Sequence, residues 1–281
     1  MVVLYNPKED CIQNINSYLH QVSLLIIVDN SDYTNTTLLN ELISNPKVKY
    51  IANNTNLGIA HALNQAATIV KKDDYDFLLT MDQDSSADSN LIENYNYFLL
   101  SNDFSKIGIL APVPSYIPET SKENVQSVKE LDVAITSGCL LNLSVYEKSG
   151  PFKDDLFIDY VDFEYCLRLK KKGFKIVQIS KAKIYHQLGN LEKHHFIFKP
   201  IYVTHHLPIR YYYRTRNRLF VAKKYILSFP AFVLKDFFIF INEILKIIFL
   251  ENNKCLKIKR IIRGLMDYIK NKYGKFENIH K

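Results

Sequence analysis

Several features that would assign this chain to a familiar class are absent from its sequence. Its four cysteines stand singly, at Cys11, Cys139, Cys166 and Cys255. Because there is no C-x-x-C pair for zinc and no dense set for disulfides, we expect a reducing compartment. The first residues lack a basic stretch followed by an apolar run and a small-residue cleavage site, which argues against secretion.

Long apolar runs and internal repeats are absent as well. No stretch approaches the ~18 uncharged apolar residues of a membrane-spanning helix. The apolar fraction of 47% excludes a disordered, collagen-like or low-complexity chain. A chain of 281 residues can bury one full α/β core with an appended tail. We predict a catalytic domain over residues 1–200 and a basic, partly amphipathic helical segment over residues 201–281.

Charge is distributed unevenly between these two parts. Residues 201–281 hold 17 Lys and Arg against 5 Asp and Glu, a net charge of +12. Residues 1–200 hold 19 against 24, a net charge of −5. The acidic part is therefore expected to hold the chemistry, and the basic part to meet an anionic surface.

Apolar runs rich in β-branched residues alternate with helix-like stretches, which predicts a mostly parallel central sheet flanked by helices. The predicted strands are Val2–Tyr5, Leu24–Val28, Val48–Ala52, Phe77–Met81, Leu131–Ile135, Leu140–Leu143 and Lys175–Ile179. The predicted helices are Ile12–His20, Thr36–Ile43, Ile59–Val70 and Phe163–Lys172. Pro112, Pro114 and Pro118 predict an interruption and Thr120–Ser127 a surface loop. Beyond His186 the pattern is helical and basic to the end.

Polar residues follow four of the predicted strands, at the edge where α/β sheets gather their ligands. They are Asn6, the Asp29–Asp32 run, the cluster Asn53, Asn54 and Asn56, and the triplet Asp82, Gln83 and Asp84. In the triplet, an apolar strand delivers two carboxylates into a loop, where they could hold Mg²⁺ or Mn²⁺ against a diphosphate. The alternative is a solvated turn or a cap for the following helix.

A second acidic cluster surrounds the start of a later predicted helix. Asp159, Asp162 and Glu164 lie where the helix dipole favours negative charge, and Arg168 follows one turn later. One of these acids could act as a general base toward an acceptor hydroxyl. The alternative is N-terminal capping by Asp162 with Arg168 in a surface ion pair.

Six short motifs, in this order and spacing, resemble family 2 glycosyltransferases, especially the rhamnosyltransferase-like branch, over roughly Met1–Asn217. The motifs are Val3–Pro7, Ile27–Ser31, Asn53–Gly58, Asp82–Asp84, Thr136–Gly138 and Asp162–Arg168. This resemblance implies a GT-A fold. It also implies an inverting, metal-dependent transfer of a sugar, L-rhamnose from dTDP-rhamnose by resemblance alone, to a glycan or lipid-linked acceptor in surface polysaccharide synthesis.

The resemblance implies a role for each matching residue. Donor-binding residues would be Tyr5, Asn6, Asp29, Asn56, Gly58, Asp82, Gln83, Asp84 and Arg168. Asp82 and Asp84 would bind Mg²⁺ or Mn²⁺, with His186 completing the metal site unless it is a structural histidine. Asp162 would be the catalytic base, supported with the acceptor by Gly138, Asp159 and Glu164. Leu4 and Val161 depart from the family pattern. Asp159 competes with Asp162 for the role of base.

The basic segment supports more than one interpretation. Arg210, Arg214, Arg216 and Arg218 lie among tyrosines and could grip the phosphates of a lipid-linked acceptor, a membrane surface or, less in keeping with the sequence, nucleic acid. Residues 230–250 form an amphipathic pattern that would either lie on an anionic cytoplasmic leaflet or pack on protein. We expect a cytoplasmic enzyme, peripheral at the inner face of the membrane, and leave its oligomeric state open.

Two other functions stay open from the sequence. A metal-dependent nucleotidyltransferase also uses an α/β sheet with metal-bound acids, but it would need an early basic glycine-rich loop, and none is apparent. A non-catalytic peripheral membrane or interaction protein could retain the same fold.

Overall fold

The structure is a computed structural model that describes residues 1–115, 127–186, 192–196, 199–203 and 205–277, with His186 and residues 192–196 and 199–203 described by their backbone alone. The chain packs as two units. The N-terminal unit comprises Met1–Asp154 and Tyr165–Gln187, and the C-terminal unit comprises Asp155–Glu164 and Leu188–Lys281. A short segment of the predicted catalytic part, Asp155–Glu164, thus packs with the basic helices.

The N-terminal unit is built on one nine-stranded mixed sheet. Its strands are β1 (Val2–Leu4), β2 (Leu25–Asp29), β3 (Val48–Ala52), β4 (Phe77–Asp82), β5 (Ser85–Ala87), β6 (Ile107–Ser115), β7 (Val128–Leu131), β8 (Cys139–Asn142) and β9 (Lys175–His186). The strand order is β3-β2-β1-β4-β8-β6-β9-β5, and β7 pairs with β9. Strands β1 to β4 are mutually parallel, and β8 runs antiparallel to β4.

Helices of the N-terminal unit fill the connections between strands. They are α1 (Asp10–Leu19), α2 (Thr36–Ile43), α3 (Ile59–Lys72), α4 (Leu91–Ser101) and α5 (Leu143–Ser149), and α6 (Val161–Lys171) runs from one unit into the other. A 3₁₀ turn covers Asp154–Leu156. The core joins α1, α2 and α4 to the sheet through buried residues such as Ile15, Ile27, Leu39 and Tyr95.

The predicted elements of the first half are confirmed because their apolar patterns match what the fold buries. All five residues of β2 are buried, as expected for an apolar strand covered on both faces. In α3 the predicted face, including Leu63, Ala66 and Val70, is buried. Gly58 precedes α3 with φ of +89°, the conformation for which glycine was expected there.

The middle of the chain differs from prediction. The strand predicted over Leu131–Ile135 is wrong, because the strand is Val128–Leu131 and the following residues lead into a turn that is hydrogen-bonded to β4. The predicted proline interruption is also wrong for Pro112 and Pro114, which lie inside β6. A register shift against β9 between Ala111 and Val113 accommodates them, as bulges do.

Helix α4 was not predicted, although Leu91, Tyr95 and Phe98 bury one face at helical spacing. Pro118 and most of the predicted Thr120–Ser127 loop lie outside the described residues.

The C-terminal unit contains a hairpin and three helices. The hairpin pairs β10 (Glu192–Phe196) with β11 (Lys199–Val203), so the prediction of helix throughout this part is wrong there. The helices α7 (Pro208–Tyr225), α8 (Pro230–Phe249) and α9 (Lys254–Ile269) follow. Pro208 and Pro230 stand in the first turns of α7 and α8, where a missing N–H costs nothing.

Candidate functional site

The carboxyl ends of four parallel strands meet at one edge of the N-terminal unit's sheet. Leu4 of β1 is paired in register with Asp29 of β2, and Asp29 with Ala52 of β3. On the other side of β1, Val3 is paired with Asp82 of β4. The polar residues after these strands therefore share one edge, where the sequence placed a donor site.

Asp29 is fully buried and stabilises the loop after β2. Its Oδ1 accepts a hydrogen bond of 2.9 Å from the backbone N–H of Ser31, and its Oδ2 accepts one of 2.7 Å from the hydroxyl of Tyr50. Burial and this contact raise the pKa of the Tyr50 hydroxyl. Tyr50 was not singled out in the sequence, because a tyrosine inside a strand gives no local signal of this partnership.

A network of carboxamides supports the neighbouring turn. The side-chain amide of Asn30 donates to the carbonyl oxygen of Gly58 at 3.0 Å, and the amide of Asn53 donates to Oδ1 of Asn30 at 2.8 Å. Oδ1 of Asn56 accepts from the backbone N–H of Gly58 at 3.0 Å. Asn56 and Gly58 thus form a fixed turn at the start of α3.

Gln83, the middle residue of the Asp82–Asp84 triplet, clamps the loop after β1. Its Oε1 accepts from the backbone N–H of Tyr5 at 2.8 Å, and its Nε2 donates to the carbonyl oxygen of Tyr5 at 3.2 Å. The backbone N–H of Asn6 donates to Oγ of Ser31 at 2.8 Å. Both the oxygen and the nitrogen of the Gln83 carboxamide thus form hydrogen bonds with backbone atoms. Tyr5 itself is 44% exposed at this edge.

Asp82 and Asp84 flank the tight turn between β4 and β5. Asp82 is half-buried and Asp84 is exposed. The backbone N–H of Asp82 donates to the buried Oγ of Ser137 at 3.2 Å, which fixes the end of β4. Ser85, the residue after Asp84, is paired across the antiparallel ladder with His186 at the end of β9. The fold therefore brings the backbone of His186 next to the triplet, 102 positions later in the printed sequence.

The donor set at this turn suits a hard divalent cation. Among the side chains that the structure describes, which exclude that of His186, no group of three His, Cys, Asp or Glu could hold a metal ion. Mg²⁺ is commonly bound through one or two carboxylates, with substrate phosphates and water completing its shell. Asp82 and Asp84 fit that arrangement, because they supply two carboxylates at an open edge of the sheet.

The Thr136–Gly138 turn supports β4 from behind. The hydroxyl of Thr80 donates to the carbonyl oxygen of Thr136 at 2.6 Å. The backbone N–H of Gly138 donates to the carbonyl oxygen of Thr80 at 2.7 Å. Gly138 has φ of +77°, and a Cβ there would lie 2.6 Å from side-chain atoms of Pro112 and Ile184. Gly138 therefore acts through packing that fixes Ser137 under Asp82.

Arg168 is used within the N-terminal unit. Its Nη1 donates to the carbonyl oxygens of Ser149 and Gly150 at 3.0 Å, and its Nη2 donates to that of Pro151 at 2.8 Å. The guanidinium lies 5.1 Å from the centre of the Tyr165 ring. These contacts stabilise the turn after α5.

The three acids of the second cluster have different surroundings in the C-terminal unit. Asp159 forms a two-point ion pair with Arg210, at 2.5 and 3.2 Å. Glu164 is buried and accepts from Lys224 Nζ at 2.7 Å and from the Tyr225 hydroxyl at 2.9 Å. Asp162 is half-buried in the first turn of α6, where its Oδ1 accepts from the N–H of Phe163 at 2.9 Å.

The backbone before Asp162 is held in an unusual conformation. Phe157, Asp159 and Tyr160 all have positive φ, at +65°, +60° and +65°. Bulky residues rarely adopt this region, and such strain persists only where the surroundings enforce it.

Two buried neighbours on α7 provide that enforcement. The amide of Asn217 donates to the carbonyl oxygens of Leu156, Ile158 and Asp159, each at 2.8 Å. Arg216 donates to that of Leu156 at 3.1 Å. Asn217 was missed in the sequence analysis.

The arginines of α7 do not form the open phosphate-binding patch that the sequence suggested as one interpretation. Arg214 and Arg218 pair with Glu243, and Arg218 also pairs with Asp236. Arg216 is fully buried. Their charges are therefore largely used inside the C-terminal unit.

Comparisons with known proteins agree with this arrangement. Residues 1–106, which carry β1 to β4 and the Asp82–Asp84 turn, match the model of the family described as glycosyl transferase family 2. The chain is 29% identical to the dTDP-rhamnosyl transferase RfbF of Shigella flexneri, over 98% of this chain and 96% of that protein. The first 106 residues are thus similar to the glycosyltransferases of family 2, and nearly the whole chain is similar to one dTDP-rhamnosyl transferase.

A second relative is similar to a shorter part of the chain. It is the low-salt glycan biosynthesis hexosyltransferase Agl10 of Haloferax volcanii, 25% identical over 66% of each chain.

Solved structures show that the fold of this chain is GT-A. The structure of S. aureus TarS 1-349 in complex with UDP-GlcNAc superimposes with a TM-score of 0.58, covering 96% of this chain and 81% of that one at 12% identity. The structure of GalNAc-T7 with UDP, GalNAc and Mn²⁺ gives a TM-score of 0.54 at 12% identity. That match covers 66% of this chain and 42% of the GalNAc-T7 chain. At these identities the likeness concerns the fold alone.

Proposed function

We propose that this glycosyltransferase moves L-rhamnose from dTDP-rhamnose to a hydroxyl of a glycan or lipid-linked acceptor, with inversion at the anomeric carbon. The similarity to a dTDP-rhamnosyl transferase over nearly the whole of both chains supports the choice of donor. The observation that carries the proposal is the Asp82–Asp84 turn, which lies at the same sheet edge as the loops after β1 and β2.

On the donor side, we propose that Asp82 and Asp84 hold Mg²⁺ or Mn²⁺ against the diphosphate, with His186 as a further ligand. A bound cation supplies positive charge where the leaving group becomes negative. The solved GalNAc-T7 structure contains Mn²⁺ on the same fold, which supports this choice. The loops carrying Tyr5, Asn6 and Asp29 would take the nucleoside, and the fixed Asn56–Gly58 turn would border it.

On the acceptor side, we propose that Asp162 removes the proton of the attacking hydroxyl. Asp162 is the residue that matches the position of the base in the family resemblance, and it lies in the first turn of α6. The two other acids of the cluster, Asp159 and Glu164, form ion pairs with Arg210 and Lys224. Attack opposite the departing nucleotide would invert the anomeric carbon.

A transfer assay on the full-length chain tests this function. We expect turnover with dTDP-rhamnose and a synthetic polyprenyl-linked acceptor, loss of turnover in EDTA, and recovery with Mg²⁺ or Mn²⁺. The configuration of the product, read by NMR, should be opposite to that of the donor. Retained configuration, or undiminished turnover in EDTA, would contradict the proposed mechanism.

A pair of variants tests the base. A single positioned base contributes ~10²–10⁴-fold, so Asp162→Asn should lower kcat by about that factor while dTDP binding persists. The matched control is Asp73→Asn, the same change at an exposed residue after α3, which should keep wild-type activity. Near-normal turnover by Asp162→Asn would exclude Asp162 as the base.

We also propose that the enzyme works at the cytoplasmic face of a membrane in polysaccharide synthesis. The net charge of +12 on residues 201–281 supports this placement, because anionic lipids attract basic segments.

A further inference from the structure

Helix α8 buries charged side chains and exposes apolar ones, which is the reverse of an ordinary helix at the surface of a water-soluble protein. Its two acids face the interior of the C-terminal unit. Asp236 accepts from Arg218 Nε at 3.0 Å and from the Tyr160 hydroxyl at 2.7 Å. Glu243 accepts from Arg218 Nη1 at 3.1 Å and also pairs with Arg214. Ion pairs thus occupy the side of α8 that would ordinarily be apolar.

The opposite side of α8 is apolar and exposed. We call it the α8 outer face, formed by Leu234, Phe237, Phe238, Ile241, Leu245 and Ile248. At 3.6 residues per turn these six side chains fall within an arc of about 100°. Their exposure runs from 40% for Ile241 to 62% for Phe238. Such a contiguous exposed patch marks a surface that meets a partner or a membrane.

Helix α9 repeats the same inversion. Lys257 is buried against Glu251, and Asp267 is buried against Arg263 and the Tyr212 hydroxyl. Ile262, Leu265, Met266 and Ile269 of the same helix are exposed. Two consecutive helices therefore bury charge and expose apolar side chains, so the pattern is a property of the unit.

The charges left on the outside of the unit indicate what covers these apolar faces. Four of the five acids in residues 201–281 are in internal ion pairs, namely Asp236, Glu243, Glu251 and Asp267. Lysines remain exposed, including Lys235, Lys254 and Lys259. Lys235 lines a groove of about 740 Å³ on α8 together with Leu234 and Phe238. A second copy would present the same excess of positive charge and would be repelled.

We propose that the α8 outer face lies in the headgroup and acyl boundary of an anionic lipid leaflet. A basic helix with one apolar face binds there through buried apolar area together with attraction to anionic lipids. No helix within the described ranges is long and apolar enough to cross a membrane. The inference deepens the proposed function, because it brings the chain to the surface that holds a lipid-linked acceptor.

Flotation of the full-length chain with vesicles tests the inference. With phosphatidylcholine vesicles containing about 30% phosphatidylglycerol, a composition chosen to give an anionic surface, the wild type should float. With neutral vesicles or in 1 M salt, where charges are screened, binding should be weaker. The double variant Phe238→Asp/Leu245→Asp should lower the vesicle partition coefficient by about a hundredfold or more, because two large apolar side chains are replaced by charge.

The matched control is Leu100→Asp, because Leu100 is 89% exposed on α4 of the other unit. It should float like the wild type, and the transfer of rhamnose to a short water-soluble acceptor should be equal in all three proteins. Absence of wild-type flotation, or equal flotation of the double variant, would overturn the inference. A concentration-dependent dimer that only the double variant abolishes would also overturn it, in favour of a protein interface. Failure of transfer with intact flotation would instead count against the proposed function.

Discussion

The side-chain amide of Asn217 donates a hydrogen bond of 2.8 Å to the backbone carbonyl oxygen of Asp159, a residue with φ of +60°. Asn217 also holds the carbonyl oxygens of Leu156 and Ile158. One buried side chain thus fixes the backbone that leads into Asp162. Because a general base must be held within hydrogen-bonding reach of its proton, this contact would position the base that we propose, Asp162.

Replacing Asn217 by Ala should therefore affect chemistry more than donor binding. Three carbonyl oxygens, one buried and two partly buried, would lose a partner, so the free energy of unfolding should fall by roughly 2–4 kcal/mol. We expect a lower kcat with donor KM little changed, since the proposed acceptor-side base, Asp162, would be displaced. Steady-state kinetics and urea denaturation measure both effects. Asn242→Ala, at an exposed asparagine of α8, is the control, and an unchanged kcat in folded Asn217→Ala would refute a positioning role.

Replacing Gln83 by Leu should weaken donor binding. The variant loses both hydrogen bonds to the backbone of Tyr5, which hold the proposed nucleoside loop. At ~1 kcal/mol for each bond, Kd for dTDP should rise about tenfold or more, as calorimetry would measure. Gln13→Leu, at an exposed glutamine of α1, should bind like the wild type. If the two variants bind dTDP equally, the clamp has no part in donor binding.

Replacing Gly138 by Ala should destabilise the N-terminal unit. The added Cβ meets Pro112 and Ile184 at 2.6 Å and takes an unfavourable positive φ. Overpacking and backbone strain together should lower the free energy of unfolding by about 2–4 kcal/mol. Gly173→Ala separates the two causes, because Gly173 also has positive φ but its Cβ would meet nothing within 4 Å. Equal losses in the two variants would show that packing at Gly138 contributes nothing.

Acid should destabilise the C-terminal unit through His206. Burial, followed by the positive charges of Arg210 and Arg214, lowers the pKa of His206 to about 4, while Asp159 and Glu251 oppose the shift. In the unfolded chain His206 has a pKa of about 6.5. Between that pH and pH 4, the unfolded chain therefore binds a proton at His206 that the folded chain does not bind. Stability is therefore lost as pH falls through this window. His206→Gln should reduce that loss in denaturation at pH 7 and pH 5, and an identical loss would contradict the assignment.

Much of the N-terminal sheet could be predicted from the sequence, because its signals are local. The bounds of α2 and β3 agree with prediction, since each is a short apolar pattern between polar residues. Carboxylates after an apolar strand also indicate a site when strands are parallel. The partners of those residues were not predictable. Nothing near Gln83 in the sequence indicates that it binds the backbone of Tyr5, 78 positions away.

The amino-acid order by itself determined the alternation of strands and helices, the acidic strand ends and the basic character of residues 201–281, because hydrophobic periodicity and charge are properties of neighbouring residues. Tertiary structure alone decided which charges are used internally. It paired Asp159 with Arg210 and Glu164 with Lys224, 51 and 60 positions apart, and it turned the acids of α8 inward. These pairings depend on which charged side chains become neighbours, and only the packing of segments that are distant in the sequence brings them together.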